Sequence, residues 1–203
     1  MHPASTFAQR DPQTLLDFVA DKGFAVLAAQ GERGPVTAHA AVIVTGGVLR
    51  FHLSAANRMV TALAARPRLV AVVTGPDAYI SPDWYAAEDQ VPTWNYLGVE
   101  IEGEARALDR VGARALLDDL SAHFEARLAP KPPWTSSKMT PAKLEALLGG
   151  IVAYEAPIER LEGTWKLSQN KPAEVARVAE RLEALPGAGA QGVARLMRRL
   201  PGG

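Results

Sequence analysis

Short apolar runs cut by glycine-rich turns constrain this chain more than any other feature. Residues 24–29 form one such run, Gly31-Glu32-Arg33-Gly34-Pro35 a turn cluster, residues 36–44 a second run, Gly46-Gly47 a two-residue turn and residues 48–53 a third run. Runs of this length joined by two to five turn residues read as antiparallel hairpins. Residues 69–74 extend the series, and Gly75-Pro76 reads as the turn that closes it. Residues 93–107 alternate as a long strand should, with Trp94, Tyr96, Gly98, Glu100 and Glu102 on one side and Asn95, Leu97, Val99 and Ile101 on the other. Residues 151–162 add another strand, which Pro157 assigns to an edge or a bulge.

Helices punctuate and then follow these strands. Asp11 is a good N-cap, Pro12 suits the first helical position and Gly23 the stop, so a helix is expected between them. Residues 56–65 read as a helix with Met59, Val60 and Leu63 inward, ended by Pro67. Further helices are expected over residues 109–128, 141–148, 171–185 and 191–200. The expected class is α+β with a mainly β core: an antiparallel barrel with peripheral helices and a helical C-terminal part.

Charge and composition narrow the function. The 203 residues carry 22 Lys+Arg against 22 Asp+Glu, whereas a dedicated nucleic-acid binder usually shows a basic excess. From Lys166 to the end, seven Lys+Arg face three Glu, a mildly basic tail. The absence of cysteine excludes a disulfide framework, a thiolate metal site and a cysteine nucleophile. His2, His39, His52 and His123 lack ligand spacing, so no metal site is expected. No apolar stretch is long enough to span a membrane, and the N-terminus lacks the pattern of a signal peptide, so a cytoplasmic location is expected.

Four segments are richer in functional groups than packing requires. His39 lies on the second run beside Ala38, Ala40 and Ala41, small residues that would let a flat ligand approach. Ser54, Asn57 and Arg58 stand where a strand enters a helix. Ser54 is either an N-cap or, with Arg58, part of a phosphate cradle at the helix start. Tyr79-Ile80-Ser81-Pro82-Asp83-Trp84-Tyr85 and Val91-Pro92-Thr93-Trp94-Asn95-Tyr96 are either a core cluster or a stacking wall. Lys166-Leu167-Ser168-Gln169-Asn170 is either a capped helix start or a donor-rich patch.

Taken together and in order, these segments resemble the PaiB family of FMN-binding negative transcriptional regulators. The resemblance runs over nearly the whole chain, from the Pro3…Phe7…Asp11 opening through Ala38-His39 and His52…Ala56-Asn57 to Lys166–Asn170. It departs at two points, Ala40-Ala41 and Arg58, where the family commonly has proline. The resemblance implies a split β-barrel of the flavin-reductase and pyridoxamine-phosphate-oxidase type. It divides the chain into an FMN-binding domain over residues 1–170, with a helical insertion about residues 110–149, and a helical extension over 171–203. It further implies a homodimer with FMN in the groove between subunits. Ser54, Asn57 and Arg58 would receive the phosphate and His39 would lie near the flavin. Trp94, Asn95 and Lys166 would line the site, with Lys166, Ser168 and Gln169 reaching in from the second subunit. The expected function is regulation, with DNA as a partner. The alternatives are an FMN-dependent oxidoreductase and, more distantly, a barrel for haem or a deazaflavin.

Overall fold

The computed structural model describes residues 2–200. In chain order its elements are β1 (Ala8–Gln9), α1 (Pro12–Lys22), β2 (Phe24–Gly31), β3 (Gly34–Thr45), β4 (Val48–Ser54), α2 (Arg58–Ala65), β5 (Arg68–Ile80), β6 (Thr93–Glu104), β7 (Arg106–Ala107), α3 (Arg110–Glu125), α4 (Pro141–Leu148), β8 (Ile151–Pro157), β9 (Arg160–Lys166), α5 (Val175–Glu183) and α6 (Ala188–Met197). The nine strands form one sheet in the order β1-β9-β6-β5-β2-β3-β4-β8-β7. The β1/β9, β2/β3, β2/β5, β3/β4, β4/β8 and β7/β8 pairs are antiparallel. This is the α+β class expected, a mainly antiparallel sheet with helices around it. No described helix is long and apolar enough to cross a membrane.

The chain divides into two compact units. One draws on the described residues of 1–15, 73–100 and 162–203, and the other on residues 16–72 and 101–161. In the second unit the β2–β3 and β3–β4 hairpins form as their turns dictate, with Gly34, Gly46 and Gly47 all at positive φ. The helix α3 covers part of this sheet. Leu116, Leu120 and Ala113 pack with Ile43 of β3, Ala153 of β8 and Leu148 of α4. Arg50 of β4 is tied to Asp119 of α3 at 2.6 Å.

In the first unit the core lies under the C-terminal helices. Val175, Val178, Ala179 and Leu182 of α5 are buried, as are Val193, Ala194 and Met197 of α6. The helix α6 lies close against β5. A Cβ on Gly189 would stand 2.6 Å from the Asp77 carbonyl oxygen, and one on Gly192 2.7 Å from Pro76 Cβ. This contact explains two departures from the expected elements. Gly75-Pro76 makes no turn, because β5 runs straight through it as the platform for α6. The last helix starts at Ala188, earlier than residue 191, with Gly189 and Gly192 forming its contact surface on β5.

Three other boundaries moved for local reasons. The 93–107 strand divides at Ala105, whose N–H turns to the Pro67 carbonyl at 2.8 Å, leaving β7 to pair with β8. The 151–162 strand breaks after Pro157, where Ile158 and Glu159 donate to the carbonyls of Gly47 and Glu102 at 2.9 Å. The 171–185 helix begins only at Val175, after a 3-10 turn opened by Pro172.

Candidate functional site

The expected site residues fall into two groups, one in each unit. His39, Ser54, Asn57 and Arg58 belong to the second unit, and Trp94, Asn95, Lys166, Ser168 and Gln169 to the first.

At the corner where β4 passes into α2, Asn57 is the N-cap. Its backbone is extended, with φ −70° and ψ 132°, and its side-chain oxygen accepts from the Met59 N–H at 2.9 Å. The helix therefore starts two residues later than residue 56, and Ser54 is not its cap. The Ser54 carbonyl accepts from the Asn57 N–H at 2.9 Å, which tightens the turn. The Ser54 side chain is exposed and has no hydrogen-bond partner among the described residues. Arg58, first residue of α2, is likewise exposed and unpaired.

Beside this corner α2 and the β2–β3 turn enclose an open cleft of about 510 Å³. Its polar wall is Gln30, Glu32, Arg33, Arg58, Thr61 and Arg66, and Val36, Ala62 and Ala65 form an apolar floor. Arg58, Thr61, Ala62, Ala65 and Arg66 follow the i, i+3, i+4, i+7, i+8 rhythm of one helix face. That rhythm is written in the sequence and is the signal by which Arg66 could have been joined to Arg58. Nothing in one dimension places Arg33 there. The hairpin brings it.

His39 points outward from β3, opposite Val26 in the β2 register. Phe24, its diagonal neighbour on β2, is 56% exposed, and the two rings are stacked at 6.1 Å with planes 24° apart. Ala38 and Ala40 are buried on the other face. His52, on β4, borders a separate cavity of about 210 Å³ with Ala41, Leu117, Phe124 and Trp134. Its Nδ1 is buried with no hydrogen-bond partner among the described residues, and burial pulls its pKa below the ordinary 6.5, favouring the neutral form of the ring.

In the first unit the five expected residues are tied down by separate sets of hydrogen bonds: Asn95 to Ser168, Lys166 to the Thr93–Trp94 segment, and Gln169 to its own neighbours. Asn95 is fully buried; its Nδ2 donates to Ser168 Oγ at 2.9 Å and approaches Met197 Sδ at 3.5 Å. Ser168 sits in the left-handed region at φ 63°, held there by its links to Asn95 and to the buried Tyr85 hydroxyl. Burial raises the Tyr85 pKa, and Lys171 lies 4.0 Å above the Tyr85 ring centre. Gln169 folds back, accepting from the Leu167 N–H at 2.7 Å and donating to the Trp165 and Thr6 carbonyls. Lys166 Nζ donates to Thr93 Oγ1 at 2.6 Å and to the Trp94 carbonyl at 2.5 Å. Burial, and then the charge of Lys171, lower its pKa. The Trp94 ring is 54% exposed and meets Tyr79 edge-on at 6.1 Å. The aromatic segments thus divide, with Tyr85 in the core and Tyr79 and Trp94 facing outward.

A mainly antiparallel sheet of this arrangement is shared with proteins that carry flavins. The flavocytochrome Anf3 from Azotobacter vinelandii superposes with a TM-score of 0.59 at 15% identity, covering 81% of this chain and 72% of that one. The FAD and heme binding protein from Mycobacterium smegmatis gives 0.58 at 18% identity, over 78% and 73% of the two chains. At these identities the likeness is one of fold. The family itself comes from the sequence. Residues 1–160 match the family described as "Putative FMN-binding domain", and the chain belongs to it. A relative in the same sense is the "Protease synthase and sporulation protein PAI 2" of Bacillus subtilis, 27% identical over 97% of this chain and 96% of that protein. This bears out the resemblance to the PaiB family.

Proposed function

We propose that the protein is an FMN-binding, PaiB-type negative transcriptional regulator acting as a homodimer, its sheet closed as a split barrel. Membership of the FMN-binding family supports the cofactor, and the near full-length likeness to the Bacillus subtilis protein supports the type. The observation that carries the reading is the corner after β4. There a serine hydroxyl and an arginine guanidinium stand without partners at the start of a helix, beside an open cleft. Helix-start N–H groups and a guanidinium fork are the donors a phosphate monoester requires, so the residues present fit FMN.

On this reading Ser54 and Arg58 take the phosphate and Asn57 fixes the turn that aims them. His39, backed by Phe24, borders the flavin ring. In the other unit Trp94 offers an exposed face to a planar group, and Asn95, Lys166, Ser168 and Gln169 support its segment from behind. FMN, when bound, supplies electron-transfer chemistry, while the protein sets its position and surroundings.

Gel filtration of the protein mixed with FMN tests the cofactor and the assembly together. Flavin absorbance should travel with the protein at the volume of a dimer. Flavin eluting wholly apart from the protein would refute the reading. For regulation, the loaded dimer should retain its own promoter DNA at low salt and release it as salt rises. No retention at low salt would remove DNA as a partner. An FMN-dependent oxidoreductase is the second reading, favoured by the neutral, unpartnered imidazole of His52, a group able to hold or pass a proton. It predicts nicotinamide oxidation faster than that driven by free FMN alone.

A further inference from the structure

Half of the sixteen arginines are held by acidic side chains or by carbonyls distant in sequence. Arg50, Arg68, Arg106, Arg110, Arg114, Arg160 and Arg198 each meet a carboxylate. Arg127 is held by the Ala20 and Asp21 carbonyls. Arg10, Arg33, Arg58, Arg66, Arg177, Arg181 and Arg199 have no side-chain partner among the described residues, and of these Arg33, Arg58 and Arg66 converge on the one cleft between α2 and the β2–β3 turn. Three like charges around one hollow repel each other, and the single carboxylate there, Glu32, pairs with none of them. Such a cluster is electrostatically unfavourable alone and becomes favourable once a multiply charged anion neutralises it. The Thr61 hydroxyl adds a further donor, and Glu32 opposes the field from one side. The Val36, Ala62 and Ala65 floor suits the apolar part of a phosphate ester rather than a bare ion.

We propose that this cleft is a phosphoryl-binding site in which Arg33 and Arg66 join Arg58, so that a phosphate monoester is held from the hairpin tip and from both ends of α2. The phosphate comes either from FMN itself or from a separate phosphate ester. The proposal rests on the FMN reading for the first source alone. Arg33 and Arg66 are exposed, and replacing their side chains removes no hydrogen bond or ion pair among the described residues.

The test measures FMN, riboflavin (which lacks the phosphate) and inorganic phosphate by calorimetry on the full chain and on the R33A/R66A double variant. Unchanged thermal unfolding confirms that the variant is folded. If FMN supplies the phosphate, the double variant weakens FMN about 100-fold, taking about tenfold for each charge-assisted contact, and leaves riboflavin unchanged. R33K/R66K recovers part of that loss, because the charge returns without the fork. If a separate ester is the ligand, FMN binds both proteins equally, and heat from inorganic phosphate is present in the wild type and absent in the variant. Should neither flavin bind the wild type while the phosphate heat still depends on the two arginines, the FMN reading fails and the cleft stands. Equal FMN affinity together with equal or absent phosphate heat in both proteins overturns the proposal.

Discussion

The cluster around Asn95 and Ser168 and the corner around Ser54 and Arg58 are built from the same materials: amides, hydroxyls and cations in short polar segments. In the first, Asn95, Ser168, Gln169 and Lys166 are all bonded to protein groups, and the amide at its centre is fully buried. In the second, Ser54, Arg58 and the neighbouring Arg33 and Arg66 point into solvent or into an open cleft without partners. A buried polar network that is fully satisfied rigidifies a fold. Unpartnered donors on an exposed helix face stabilise nothing by themselves, and what they offer is available to a ligand. The first region is built to hold the chain, and the second to hold something else.

The largest effect that would break this contrast belongs to Asn95. Asn95→Ala removes a buried side chain and one of the two partners of Ser168, and it should cost about 3 kcal/mol in urea unfolding. Unchanged stability with weakened FMN binding would make the cluster a binding wall instead. Gly103→Ala is the next in size. Its Cβ would stand 2.3 Å from the Pro157 carbonyl oxygen, a backbone atom that cannot swing aside, so a loss of about 2 kcal/mol is expected.

His52 sharpens the contrast through pH. Its folded pKa lies below the ordinary 6.5, so on acidification the unfolded chain takes up the proton first. Native stability therefore falls as pH drops from 6.5 towards the folded pKa, with a slope of less than one proton from this group. His52→Gln should flatten that slope in denaturation curves taken at pH 7, 6 and 5, and an unaltered slope would show that other groups carry it. The smallest effect is that of Trp94→Ala. Its ring is half exposed, so stability should move by no more than about 0.5 kcal/mol. A larger loss would place Trp94 among the structural members of its cluster.

Much of the fold was legible. The alternation of β6, with Asn95, Leu97, Val99 and Ile101 buried, is written in the order of its residues. So are the hairpins, because Gly46-Gly47 and Gly34 admit the backbone angles the turns need. The Gly75-Pro76 pair misled because its usual turn chemistry was overruled by α6, more than a hundred residues away in sequence. The same limit governs the site. The polarity of Ser54–Arg58 is local and could be read, whereas the closure of Asn95 upon Ser168 and Met197 is not local. Composition alone made one region look as receptive as the other. Arg66 was half visible, two helical turns from Arg58, and Arg33 was not, since a hairpin's reach across to a helix leaves no periodic trace.

The stretch that defines the family ends at residue 160, yet the Asn95 amide is sealed by Ser168 and Met197, and Asp77 lies under Gly189. A gene fragment cut where the family pattern stops would therefore leave β6 without its β9 neighbour and with an orphaned amide. The boundary along which such sequences are compared is not one along which this polypeptide can be divided. Anyone grafting, fusing or shortening it must carry the stretch through Met197, which closes on Asn95 and on β5.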